Sequence, residues 1–144
     1  MRPTLGTQAS RRQWPGTGYS VKLPSSSART ACLAEAVRGL VAVFADTAGV
    51  VASRSVAFML GPAGDEEQLV RLLEEVIYLV EVDGVVPVDV RVQLRPDGGL
   101  RGRLGVAPLQ AAIVIGPAPK AIAWHELSLV PERTGWRCRV TLDV

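Results

Sequence analysis

Between residues 69 and 80, Leu69, Leu72, Leu73, Val76, Ile77 and Val80 recur at intervals of three and four, which places them on one stripe of a helix. Gly61-Pro62-Ala63-Gly64 breaks the chain just before it, and Asp65 stands three residues ahead of Gln68, the spacing of a capping box. Burying side chains of this size is worth about 1.5–3 kcal/mol each, so the stripe must pack on something. Leu33, Ala36, Val37, Leu40, Val41 and Phe44 show the same spacing and predict an earlier amphipathic helix over residues 29–45, with the Ser25-Ser26-Ser27 run available to cap it.

Elsewhere the period is two. Tyr19, Val21 and Leu23 alternate as a short strand stopped by Pro24. Val56, Phe58 and Leu60 line one face of a strand over residues 50–60. Strands at 86–94 and 100–104 are joined by the turn Pro96-Asp97-Gly98-Gly99, and residues 107–115 fit a strand or a short helix until Gly116-Pro117-Ala118-Pro119 ends them. The chain closes on a hairpin. Ile122, Trp124, Leu127 and Leu129 are the bulky apolar members of its first strand; in its second, Trp136, Cys138, Val140 and Leu142 alternate with Arg137, Arg139, Thr141 and Asp143. Strand–helix–strand followed by helix–strand–strand reads as a weak internal duplication. It predicts an α+β fold, a two-layer sandwich with two amphipathic helices on one face of a mixed β-sheet.

Composition narrows the class. The 144 residues are 48% hydrophobic and 21% charged, as in a folded protein. Residues 1–14 read as a disordered basic leader and residues 15–144 as one domain. No run of eighteen apolar residues suggests a membrane span, and Arg2, Arg11 and Arg12 are followed by no apolar signal region, so a cytoplasmic location is expected. The net charge is +2, yet residues 1–34 hold five cations and no anion. Cys32 and Cys138 fit no metal-ligand spacing and read as small buried hydrophobes.

His125 is the only histidine, which excludes a histidine-based metal triad. Gly98-Gly99 is a hairpin turn without a following helix and so no phosphate loop, while Glu74 and Glu75 are adjacent on a helix and do not face each other. The concentration of hard oxygen ligands lies at the end: Asp143 and the carboxylate of Val144, held at one place by a strand locked in a sheet.

The closing segment, with Lys120, Ala121, Ile122, Trp124, His125, Trp136, Asp143 and Val144 in order, resembles the end of the archease family. The resemblance runs back through Val86-Pro87-Val88, the stretch from Leu72 to Leu79, Phe44-Ala45-Asp46 and Cys32-Leu33-Ala34-Glu35-Ala36, and so covers about residues 28–144. It implies an archease-like domain and a non-enzymatic accessory protein. Its partner would be an RNA ligase of the tRNA-splicing type, dependent on manganese and GTP, whose guanylylation and turnover it promotes. No sequence-specific nucleic-acid binding and no membrane partner are expected. By the same resemblance Lys120 and His125 would contact the partner or a phosphate, and Asp143 would be a metal ligand paired with an aspartate from a His-Thr-Ala-Asp motif in the first strand.

That motif is where the chain departs from the family. Counting back without a gap from Cys32, the motif falls on Gly16-Thr17-Gly18-Tyr19, which puts Tyr19 at the aspartate's position, and the first acid in the chain is Glu35. Asp143 and Val144 are therefore expected to form a half-site that binds Ca²⁺ or Mg²⁺ weakly. The alternative reading is a divergent binding or chaperone-like module that kept the fold and lost the metal role.

Overall fold

The computed structural model describes residues 10–14, 18–22, 28–133 and 135–144; at 10–14, 18–22, 125 and 126 the backbone alone is described. Helix α1, Arg29–Phe44, buries ten of its sixteen residues, among them Leu33, Val37, Leu40 and Phe44. A helix apolar on so much of its circumference must be enclosed, and α1 packs on strands from two sheets as well as on the second helix. Its N-cap position is Ala28, which offers no side-chain cap; Ser25, Ser26 and Ser27 lie outside the described residues.

Helix α2, Asp65–Tyr78, presents the expected stripe: Leu69, Leu72, Leu73, Val76 and Ile77 are buried, with Val80 packed at the margin. Its first turn holds Asp65, Glu66 and Glu67, which complement the positive end of the helix dipole. The expected capping box does not form. Asp65 accepts from Arg29 Nε at 2.7 Å, and the fully buried Gln68 accepts from Arg29 Nη2 while its own amide donates to the Gly98 carbonyl at 2.9 Å. Both side chains are spent on joining the helices to a turn, because a guanidinium at the start of α1 outbids the local backbone.

The strands are β1 (Ser10–Trp14), β2 (Gly18–Lys22), β3 (Ala45–Asp46), β4 (Arg54–Leu60), β5 (Val85–Leu94), β6 (Leu100–Pro108), β7 (Ile113–Val114), β8 (Ala121–Glu132) and β9 (Gly135–Asp143). A π-helical segment, Leu79–Asp83, extends α2, and a single 3₁₀ turn, Leu109–Ala111, lies between β6 and β7. Residues 107–115 are thus neither one strand nor one helix. The strands associate as a four-stranded sheet in the order β1-β2-β9-β8, a three-stranded sheet β4-β6-β5 and a two-stranded pair β3-β7. Every described pairing is antiparallel. The two helices and the α+β class stand as expected; the single mixed sheet does not, because strands on either side of a helix went to different sheets. β1 is a second correction. Residues 10–14, placed in a disordered leader, pair with β2 from Ser10↔Lys22 to Trp14↔Gly18, and this satisfies an edge that β2 would otherwise leave open.

The core lies between the helices and both larger sheets. α1 meets β5 and β9, and α2 meets β8 and β4. In the three-stranded sheet Val56, Leu104 and Val90 form one inward row, and Phe58 lies over Gly102, where a Cβ would stand 2.6 Å from its ring. In the four-stranded sheet Leu129, Cys138, Val140 and Leu142 are buried. Cys32 and Cys138 meet here, both without exposure and both free. A hydrogen bond from Cys138 lowers the Cys32 thiol from its ordinary range, and that bond together with burial pushes Cys138 up. Small buried hydrophobes was the expectation for each; their contact across 106 positions was not legible.

Candidate functional site

The alternation Trp136, Cys138, Val140, Leu142 drives β9 into the middle of the four-stranded sheet, with β2 on one side and β8 on the other. Its last residue, Asp143, is therefore flanked on both sides: Gly18 is its partner on β2 and Ala121 its partner on β8. The backbone N–H of Lys120 donates to the Asp143 carbonyl at 2.6 Å. Asp143 and Lys120 are both exposed, and Val144 is half-buried. The structure thus brings a carboxylate and an ammonium side chain to one fixed end of a clamped strand.

The other members of that face are less uniform than alternation implies. Arg137 pairs with Glu132 at 2.7 Å, and Arg139 is half-exposed opposite Ser128 and Lys22. Thr141 is buried, and its hydroxyl has no hydrogen-bond partner among the described residues. Tyr19 pairs with Leu142, one place along from the Gly18–Asp143 level. The register therefore puts Gly18, not Tyr19, directly across from Asp143.

His125 falls where β8 departs from regular pairing, between Ala123↔Thr141 and Ser128↔Arg139; its side chain lies outside those described. Five steps along β8 there match two along β9, so three extra residues are accommodated and the inside–outside alternation inverts. Ile122 and Leu129 both point inward although one is even-numbered and the other odd. Trp124, expected among the inward apolar residues, is 60% exposed as a result. The signal was present in the sequence. Ile122 and Trp124 share one parity, Leu127 and Leu129 the other, and no regular strand can bury all four.

A divalent site of the kind implied by the family resemblance needs several oxygen donors. Neither Gly18 nor Ala121 has a side-chain oxygen to offer beside Asp143, and among the described residues no group of three His, Cys, Asp or Glu side chains is arranged around a common point. These residues do not fit a full metal site. What the arrangement offers is an exposed pair of opposite charges, suited to docking a polar group rather than to a nucleophile–base relay.

The model of the Archease protein family matches residues 25–144. "Probable protein archease" of Mycobacterium tuberculosis, from strains CDC 1551 and H37Rv, is 35% identical over 139 residues, spanning 96% of this chain and 77% of that protein. The solution structure of Methanobacterium thermoautotrophicum protein 1598 superposes with a TM-score of 0.69 at 18% identity, over 96% of this chain and 99% of that one. The crystal structure from Thermotoga maritima described as "an archease, possible chaperone" gives a TM-score of 0.61 at 15% identity, over 92% and 98% of the two chains. At these identities the two structures establish likeness of fold. Among the described residues no helix is long and apolar enough to cross a membrane.

Proposed function

The chain belongs to the archease family, and from that premise we propose that it is an accessory protein, not itself an enzyme, that assists an RNA ligase of the tRNA-splicing type. The observation that supports this reading is the fixed, exposed Asp143 at the end of β9, with the Lys120 N–H donating to its backbone carbonyl. In this reading the ligase is the partner, and docking of the Asp143–Lys120 end promotes its guanylylation and turnover. The family resemblance adds His125 to that contact in this reading; its backbone lies in the irregular part of β8, between Ala123 and Ser128.

The test is a turnover assay of a purified tRNA-splicing ligase with Mn²⁺, GTP and broken RNA, with and without this protein. Multiple turnovers per ligase with the protein, against one or fewer without it, support the reading; Asp143→Asn should weaken the effect. An unchanged turnover number would sink it.

A second reading has its own observation. Gly18 across from Asp143 leaves the family's carboxylate pair incomplete, which favours a binding or chaperone-like module without a metal role. The Thermotoga protein's description as a possible chaperone agrees with that class. Stimulation of ligase turnover that persists in Asp143→Asn, or protection of an unfolding ligase with no effect on turnover, would favour this second reading.

A further inference from the structure

The outward face of the three-stranded sheet carries an arrangement that the accessory reading does not use. The register sets Arg103 of β6 directly between Ala57 and Arg91, Arg101 between Met59 and Gln93, and Gly105 between Ser55 and Asp89. Arg91, Arg101 and Arg103 are all exposed, and among the described residues none of them forms an ion pair. Their neutral contacts are long: Arg103 to the Ser55 hydroxyl at 3.4 Å and Arg101 to the Gln93 side-chain amide oxygen at 3.3 Å. Like charges opposite one another across a strand pair repel. An anion seated between Arg91 and Arg103 removes that repulsion and accepts from both guanidinium forks.

Beside the arginine pair lies a groove of about 450 Å³ lined by Ser53, Arg54, Ser55, Asp89, Arg91 and Arg103. Its floor is Gly105, where a Cβ would meet the Cβ atoms of Asp89 and Ala52 at 3.1 Å. The glycine keeps the floor at backbone level, so that a ligand can reach the arginines. Asp89 is exposed and also lacks an ion pair among the described residues.

We propose that this face binds the sugar–phosphate backbone of single-stranded RNA, with phosphates on Arg91, Arg101 and Arg103 and a ribose 2′-hydroxyl on Asp89. Three arguments select this occupant. Arg101 and Arg103 lie two residues apart on one strand, about 7 Å, and three strands span only about 10 Å, so the face suits one extended strand rather than a duplex. The outward positions from Ser55 to Met59, Asp89 to Gln93 and Arg101 to Gly105 include no aromatic ring, so bases are not stacked and the contact is with the backbone. An acidic peptide would satisfy the arginines but leave Asp89 facing further carboxylates. Ribose supplies a hydroxyl donor next to each phosphate, and it is the group that separates RNA from DNA.

This inference extends the accessory reading without resting on it, since the experiment contains no ligase. Fluorescence anisotropy of a labelled 12-residue oligouridylate is measured with the full chain, in EDTA, over a series of salt concentrations, and repeated with the matching deoxy strand. The expected result is salt-sensitive binding that prefers RNA. Arg91→Gln with Arg103→Gln should weaken it by about tenfold or more and reduce the salt slope by about 1.4, the loss of two single-strand phosphate contacts. The double lysine variant, which keeps both charges, should retain part of the affinity, and Asp89→Ala, which removes the acceptor for the 2′-hydroxyl, should bring RNA and DNA to near-equal binding. All three substituted positions are exposed, and an unchanged melting temperature checks the fold. The proposal is overturned if the oligouridylate does not bind at low salt, or if the double glutamine variant binds like the parent. It is equally overturned if polyglutamate of matched charge displaces the RNA at equal concentration, which would make the face an acidic-protein site.

Discussion

Gln68 is fully buried, accepts from Arg29, and donates to the Gly98 carbonyl at the β5–β6 turn and, at 3.4 Å, to Gly61. One amide thereby holds the starts of both helices and two turns. Gln68→Leu keeps the volume and removes every one of those bonds. It is expected to destabilise by about 1–3 kcal/mol, the cost of leaving buried polar partners unmade, read as a lower urea midpoint with unchanged m-value. Asp65 and Gln68 stood out in the sequence as polar punctuation before an apolar stripe. Their partner did not, because Arg29 is 36 residues from Asp65 and only the packed helices bring them together. The metal question is also decided at single positions. With Asp143 and Val144 as the donors, titration with Ca²⁺ or Mg²⁺ is expected to give a Kd on the order of millimolar. Gly18→Asp, directly across from Asp143, should tighten it more than Tyr19→Asp, one place along and paired with Leu142. Equal effects, or micromolar binding by the parent, would refute that register-based assignment.

Elements differ in how completely their pattern determines them. α2 was legible nearly to its ends, since a helix needs only its own spacing to define the face it buries. β8 was legible as a strand but not in its detail, because what inverts its alternation is an insertion measured against β9. The two cases yield opposite expectations for two large side chains. Leu73 has no exposure, and Leu73→Ala should cost about 2–5 kcal/mol. Trp124 is the larger residue, yet 60% of it is exposed, so Trp124→Ser should change stability by less than about 0.5 kcal/mol. Chemical denaturation of both variants checks the pair. A tryptophan variant as damaged as the leucine variant would mean that β8 runs regularly and that Trp124 belongs to the core. Strand order was the least legible feature, since side-chain alternation fixes which face a strand buries and says nothing about which strand lies beside it.

At the scale of the whole molecule, charge and topology separate two surfaces. Asp143 and Lys120 belong to the end of the four-stranded sheet, whereas Arg91, Arg101 and Arg103 lie on the outward face of the three-stranded one. Buried side chains of both helices stand between the sheets, so neither surface borrows a residue from the other. Residues 1–34 carry five cations and no acid, and the remaining 11 cations and 14 acids give the rest of the chain a net charge of −3. The three sheet arginines are thus a local exception in an otherwise acidic body, and their pull on a polyanion is short-ranged at physiological salt, within a screening length of about 8 Å. Changes at sites that share no partner combine additively in free energy. Asp143→Asn is therefore expected to lower ligase turnover while leaving oligouridylate anisotropy unchanged, and Arg91→Gln with Arg103→Gln to lower the anisotropy. In the combined variant, the fraction of turnover that remains should equal the product of the fractions remaining in the two separate variants. Turnover measured across the four proteins at one salt concentration decides it. A combined loss no larger than that of Asp143→Asn alone would mean that both surfaces serve one contact, with RNA reaching the ligase only through the Asp143 end.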